Sequence, residues 1–387
     1  NPDPAHGTRS LVVLTMSEAA HNRIRRLFDQ ASQLPAELGQ KFLIRECGAD
    51  ANLLQRLRAI IAAAADKRFL ATTDSNRFPK NQNETMTNTI LITGCSSGFG
   101  RLAAERFARQ GNRVYATMRG VDGKNAAVSG ELLAIAKDEG LDLRVLELDV
   151  CSTTSVNAAA ARVLEESGAP DVVINNAGQM FVGVTEAFDD EELARQLDIN
   201  MVGVHRVHRA FLPAMRAKGS GLSISVSSVA GRLAIPFFGV YHASKWALEG
   251  YSQALRTELA SSGVDVVLVE PGPFTTALFP TSPKPADADG RAATYPAVVP
   301  ETFEALGKSF EQLFESDDGS TDPMHVVDRF AELVAMAPGS RPFRSVVGVN
   351  FGVEELNKLC EPQEAAVLAA MELTDFATLS TTSSKPQ

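Results

Sequence analysis

Two textures divide the chain. From residue 88 onward, short apolar and β-branched runs alternate with amphipathic stretches. The runs are 89–92, 113–118, 143–148, 171–174, 222–226, 264–269 and 343–349. Each of the first six is followed by a helical or loop stretch. Strand-length runs alternating with helical periodicity predict βαβ units, hence a parallel sheet covered by helices on both faces and joined by right-handed crossovers. The expected fold is α/β, a doubly wound (Rossmann) parallel sheet of seven strands. Between 273 and 342 lie a Pro- and Asp-rich loop and two helical stretches, near 301–315 and 324–336.

Ahead of residue 88 the pattern differs. Residues 17–70 are rich in Ala, Leu and Arg, with helical periodicity over 21–33, 36–46 and 52–65, broken at Leu34-Pro35 and Cys47-Gly48. Residues 71–87 are polar and nearly featureless, as linkers are. The expected organisation is a helical appendage over 1–70, a linker over 71–87, the α/β domain over 88–372 and a flexible Ser/Thr-rich tail over 373–387.

Composition narrows the partners. The chain has 387 residues, 44% of them hydrophobic, enough for a sizeable core. Its net charge is −10, and the balance is uneven. Residues 1–85 carry 12 Lys+Arg against 9 Asp+Glu, whereas the rest carries 25 against 38. An acidic main body argues against nucleic acid or an anionic membrane as partner. No run of ~18 apolar residues is present, so no membrane span is expected. The cysteines Cys47, Cys95, Cys151 and Cys360 form no C-x-x-C pair, which points to a reducing cytoplasm rather than a disulfide scaffold or a metal site.

Two segments carry candidate chemistry. The first strand runs into Thr93-Gly94-Cys95-Ser96-Ser97-Gly98-Phe99-Gly100, and a helix over 101–110 follows. Glycines there permit a sharp turn and close backbone approach to a pyrophosphate, which the helix N-terminus would hold. The second segment is Tyr241-His242-Ala243-Ser244-Lys245. Four residues apart on a helix, Tyr241 and Lys245 share a face. A neighbouring ammonium favours the phenolate, so the pair makes a sensible acid/base couple. At the end of the second strand Met118 stands where an NAD-selective site places an acid. Arg119 follows, and an arginine there grips a 2′-phosphate. Ser97 offers a further hydrogen bond. NADP(H) is expected over NAD(H).

T-G-x-x-x-G-x-G after the first strand and Y-x-x-x-K later resemble the short-chain dehydrogenase/reductase family. The segments 93–100, 114–119 and 241–250 resemble its 17β-hydroxysteroid and retinol dehydrogenase branch. The resemblance implies a dinucleotide site built from Thr93, Gly94, Ser96, Ser97, Gly98, Phe99 and Gly100. Further contacts come from Asp149 and Val150 on the adenine, from Asn176, Ala177 and Gly178 of N-N-A-G, and from Pro271, Gly272 and Thr276 beside the nicotinamide. Tyr241 and Lys245 would touch the nucleotide as well. The resemblance also implies a catalytic set of Asn200, Ser228, Tyr241 and Lys245. In it Ser228 and Tyr241 bind the substrate oxygen, and Asn200 holds a water that relays protons to Lys245. The implied activity is alcohol–carbonyl interconversion by direct hydride transfer.

The apolar segment 234–240, with Met180, Phe181 and Val182, suggests an apolar small-molecule substrate. A homodimer or homotetramer through helices near 190–218 and 240–262 is implied. His205 and His208 read as surface or interface histidines, and Trp246 as a packing residue. Residues 17–70 resemble a helical segment found ahead of bacterial serine/threonine kinase domains, but no kinase motif follows. Met86 stands where family members commonly begin, so 86–387 is expected to suffice as an enzyme. The competing reading is a non-catalytic NADP(H)-binding regulator. The intact set of four catalytic residue types disfavours it.

Overall fold

The computed structural model describes residues 87–316 and 319–380. The chain divides into two compact units, Asn1–Thr85 and Met86–Gln387. The helices expected within 17–70, and the linker but for its last residue, lie outside the described residues.

The apolar runs become seven strands: β1 (Thr89–Thr93), β2 (Arg113–Met118), β3 (Leu143–Glu147), β4 (Val172–Asn175), β5 (Gly221–Val226), β6 (Val264–Pro271) and β7 (Arg344–Val347). All pair in parallel, in the order β3-β2-β1-β4-β5-β6-β7. Helices cover both faces, so inner strands are mostly apolar; β6 is buried at every position, including the polar Asp265 and Glu270. Alternate side chains serve opposite layers. Ile90, Ile92, Val114 and Ala116 face α1 (Gly98–Arg109) and α8 (Met324–Ala335), through Phe107, Val327 and Phe330. Leu91, Tyr115 and Val173 face α3 (Thr153–Ser167) and α5 (Gly203–Lys218), through Val163 and Phe211.

From β1 the chain steps outward to β2 and β3, then returns to build β4 on the other side. Strand order therefore reverses between β1 and β4. In open α/β sheets the crevice beyond the carboxyl ends of such strands receives the ligand.

Three further elements shape that crevice. The stretch expected as one helix is α4 (Asp190–Leu197), a π-helical turn (Asp198–Val202) and α5 in succession. Helix α6 (Gly239–Ala260) crosses beside β5 and β6. Helix α7 (Val298–Phe314) lies over the crevice and contains no fully buried residue. Helix α2 (Ala126–Glu139) follows β2, and α9 (Val353–Ala370) follows β7. Beyond α9, the Ser380 N–H donates to Ala260 O at 2.8 Å, so the expected tail is packed on the end of α6 as far as residue 380. No helix among the described residues is long and apolar enough to cross a membrane.

Candidate active site

The glycine turn is held by backbone. Gly94 adopts φ +75°, and a Cβ there would stand 2.8 Å from the Ala177 Cα. A Cβ on Gly100 would fall 2.4 Å from Asn176 Nδ2 and 2.5 Å from Gly94 O. Neither position tolerates a side chain, since real Cβ atoms do not approach so closely. Asn176 is the reason for the crowding: its Nδ2 donates to Thr93 O at 2.9 Å and Gly94 O at 3.2 Å. Thr93 Oγ1 in turn accepts from the N–H groups of Asn176 and Ala177. These bonds lock the end of β4 to the turn after β1. Asn175 points the other way, to His208, Ser223 and Ser225.

A cavity of about 920 Å³ opens at the carboxyl ends of the strands. Of the expected nucleotide residues, Gly94, Ser96, Ser97, Gly98, Phe99, Arg119, Asp149, Val150, Asn176, Ala177, Gly178, Pro271, Gly272 and Thr276 line it. Thr93 and Gly100 do not; they lie behind the wall and support it. The set fits a dinucleotide. Gly98, at φ +55°, has only the Thr276 side chain near its missing Cβ, at 3.8 Å, which leaves an open cradle at the start of α1. Arg119 and Ser97 are both exposed at one rim.

Ser228, Tyr241 and Lys245 line the same cavity. Ser228 follows β5; its Oγ donates to Pro271 O at 3.2 Å and accepts from the Ala230 N–H at 3.1 Å. Tyr241 is buried among Met180, Val182, Phe237 and Phe238. Lys245 follows one helical turn later. Its Nζ donates to Val226 O at 2.7 Å and lies 5.8 Å from the centre of the Tyr241 ring. Asn200, in the π-helical turn, is 1% exposed and does not reach the cavity surface. Its Oδ1 accepts from Gln179 N, while its Nδ2 donates to Gln179 O and Ser244 Oγ, each at 2.9 Å.

Electrostatics at this site depart from expectation. Burial pushes the Tyr241 hydroxyl up to about 12, with the Ser228 hydroxyl acting in the opposite direction. Burial also brings the Lys245 ammonium down to about 8, against the pull of Glu249. The phenol is therefore held protonated here, not lowered by its lysine.

Other expectations change too. Ile235, Phe238 and Met180 line the cavity, but Phe181 turns away into a separate cluster with Phe188 and Val240. His208 is not a surface residue. It is fully buried, bonded to Asn175, Ser223 and Tyr251, and burial drives its pKa down to about 3. Trp246, expected to pack, is 51% exposed. Residues not foreseen include Lys124, which shares the Arg119 rim, and Phe279, Phe310 and Phe314, which form the roof. The rings meet at an angle: Phe279–Phe310 tilted by 48° at 5.2 Å, Phe238–Phe310 edge to face at 6.1 Å. Helical periodicity near 301–315 signalled an amphipathic helix but not what its apolar side covers.

Known proteins share this arrangement. The short chain dehydrogenase family matches residues 88–286. A 17-beta-hydroxysteroid dehydrogenase type 1 of Mus musculus is 35% identical over 298 residues, covering 76% of this chain and 83% of the mouse protein. A 3-ketodihydrosphingosine reductase of Bacteroides thetaiotaomicron is 40% identical over 187 residues, which are 48% of this chain and 64% of that protein. The chain thus spans less than two thirds of the bacterial reductase. A solved short-chain dehydrogenase from Streptomyces avermitilis shares the fold with a TM-score of 0.56 at 30% identity, covering 74% of this chain and 98% of its own. With the parallel sheet, the glycine turn and the serine–tyrosine–lysine floor in place, the chain belongs to the short chain dehydrogenase family of oxidoreductases.

Proposed function

We propose that this protein is an NADP(H)-dependent oxidoreductase that interconverts an alcohol and a carbonyl on an apolar substrate. One observation carries the reading. Ser228, Tyr241 and Lys245 line a single cavity with the glycine turn, beneath a roof of phenylalanines. When bound, the nicotinamide supplies or takes up the hydride.

The chain's own residues handle the oxygen and its proton. Tyr241, kept protonated through neutral pH by burial, donates its phenolic proton to the carbonyl oxygen in the reducing direction. Ser228 Oγ, whose proton goes only to a 3.2 Å bond with Pro271 O while the Ala230 N–H anchors its oxygen, turns that proton to hydrogen-bond the substrate oxygen and orient it. The Lys245 ammonium opposes the negative charge left on Tyr241. Asn200 acts by position: it clamps Gln179, next to Gly178, and Ser244, next to Lys245.

Nucleotide preference rests on charge. Arg119 and Lys124 place two cations at the rim where a 2′-phosphate would lie. Glu147, at the end of the neighbouring strand, is engaged by the Gly120 and Val121 N–H groups at 2.9 and 2.8 Å and is not free for a ribose hydroxyl. The roof favours a steroid-, retinoid- or small-ketone-like substrate, in keeping with the mouse relative's name. The protein works as a homodimer or homotetramer through α4–α5 and α6, where Trp246 is exposed.

The test is NADPH and NADH oxidation across apolar ketones, aldehydes, steroids and retinoids. Turnover with NADPH is expected, and Tyr241→Phe should lower kcat by about a hundredfold or more while leaving the NADPH Kd unchanged. Substantial turnover by that variant, or equal efficiency with NADH, overturns the reading.

A further inference from the structure

Behind the cavity floor lies a buried cluster of charge that the chemistry above does not use. Glu249 follows Lys245 by one turn of α6, so both side chains leave the same face of the helix. Glu249 Oε1 accepts from Ser227 Oγ, on the residue next to Ser228. Its Oε2 accepts from Arg344 Nε at 2.9 Å. Arg344, on β7, also donates to Glu364 of α9 at 3.0 Å and to Gln253 of α6 at 3.1 Å. Glu270, on β6, is completely buried. Asn357 Nδ2 donates to Glu270 Oε2 at 2.6 Å, and Arg232 Nε donates to Asn357 Oδ1 at 2.8 Å. Glu270 Oε1 has no hydrogen-bond donor among the described residues, Arg344 Nε standing 3.8 Å away.

The charges that face Glu249 do not balance. Among the described residues Arg344 is the cation that reaches both buried carboxylates, at 2.9 Å from Glu249 and 3.8 Å from Glu270. Lys245 lies one helical turn away, Arg232 reaches Glu270 only through Asn357, and the part-exposed Glu364 draws on the same Arg344, so the two buried carboxylates exceed the cation they share. A buried carboxylate without a partner is costly, and it takes up a proton instead. One proton on Glu270 removes the excess charge. It also converts the orphaned Oε1 into a donor for the Glu249 carboxylate. Burial beside Glu249 accordingly raises Glu270 to about 8, while the charge of Glu249 works against the burial that depresses Lys245.

We infer that Glu270 carries a proton behind β5, with its Oε1 turned toward the Glu249 carboxylate, and that Glu249 is a positioning residue that holds the Ser227–Ser228 strand end and sustains the ammonium form of Lys245. The inference rests on the role proposed for Lys245.

The first test is Glu249→Gln, which keeps the shape and removes the charge. In the carbonyl-reducing direction, kcat/KM falls at high pH as Lys245 loses its proton. In the variant this alkaline limb should move to lower pH by about one unit. The Lys245 amine, titrated by NMR without nucleotide or substrate, should move with it. If neither moves, the inference fails. The second test is Glu270→Gln, which mimics the protonated form. Glu270 holds its proton when folded up to about pH 8 and loses it earlier when unfolded, so wild-type stability declines as pH rises from 4.5 through 8. That contribution to the Tm profile should vanish in the variant. Its persistence, or a loss of Tm in the variant at pH 6, overturns the protonated Glu270. Substantial turnover in Tyr241→Phe would sink the oxidoreductase reading alone, because the lysine titration does not depend on turnover.

Discussion

The two ends of the central cavity are built on different physical principles. At the nucleotide end the wall is backbone. Gly94 and Gly100 leave no room for a Cβ, and Asn176 and Thr93 tie the turn after β1 to the end of β4 with four short hydrogen bonds. At the substrate end the wall is side chain. Phe238, Phe279 and Phe310 meet ring against ring at 5.2–6.3 Å, and the helix that carries Phe310 buries nothing in the main core. A backbone wall is specified to tenths of an ångström and fails when one atom is added. A wall of rings is specified by volume and apolarity and accepts substitution. On the proposed function, one end fixes where the nucleotide lies, and the other leaves room for a choice of substrate.

Four measurements would break or sharpen this contrast. The largest effect is expected from Gly100→Ala. The added methyl has no space between Asn176 and Gly94 O, so the variant should lose about 3 kcal/mol of stability, near the upper end for overpacking, and its nucleotide binding with it. Denaturant unfolding and NADPH titration would read both; an unchanged Kd would show that the turn is not rigid.

The second measurement probes the network behind β4. His208 is buried and neutral, with its pKa held near 3, whereas in the unfolded chain it titrates at its ordinary value. The unfolded state therefore binds the proton first. The stability this group contributes is present above pH ~6.5 and is lost as pH falls toward 3, by up to about 1.4 kcal/mol per pH unit. His208→Gln should flatten the Tm profile between pH 6.5 and 4; a slope that stays unchanged would place the acid sensitivity elsewhere.

Third comes Arg119→Ala, at the rim. Loss of one charge-assisted contact should weaken NADPH by about tenfold and leave NADH unaltered. The same loss for both nucleotides would argue for a general structural role. The smallest effect on folding belongs to Phe310→Ala in the roof. Because the ring is only partly buried, about 1 kcal/mol of stability is at stake, while KM for a bulky apolar substrate should rise with kcat little changed. A collapse in Tm there would mean that the roof belongs to the core after all.

The sequence was legible where burial follows the chain itself. Strands covered on both faces appear as largely apolar, β-branched runs, and β1 to β7 fall within about two residues of the runs that announced them. The glycine turn and Asn175-Asn176-Ala177-Gly178 were legible because close approach restricts residue type. What was hidden depends on convergence across the chain. Tyr241 is raised by burial in a cluster that joins Met180 and Val182 to Phe237 and Phe238, with Leu278, Leu306 and Phe310 packed against it, a convergence of four chain segments. His208 looks like a polar position on α5 until Asn175, Ser223 and Tyr251 are brought around it. The π-helical turn at Asp198–Val202 leaves no mark in hydrophobic spacing, yet it buries Asn200 and aims its amide at Gln179. Lys124 reaches the Arg119 rim only because the 120–125 loop folds back, fixed by Glu147 and by Asn125 Nδ2 on Arg119 O.

Helix α7 carries a consequence for heredity as well as for mechanism. A segment that roofs the cavity without entering the core can drift, lengthen or be exchanged while the sheet beneath stays folded. Selection for a new substrate can therefore act on residues 274–314 without first repairing stability. At the glycine turn, where a single methyl group is too much, any added side chain meets the fold before it meets a substrate.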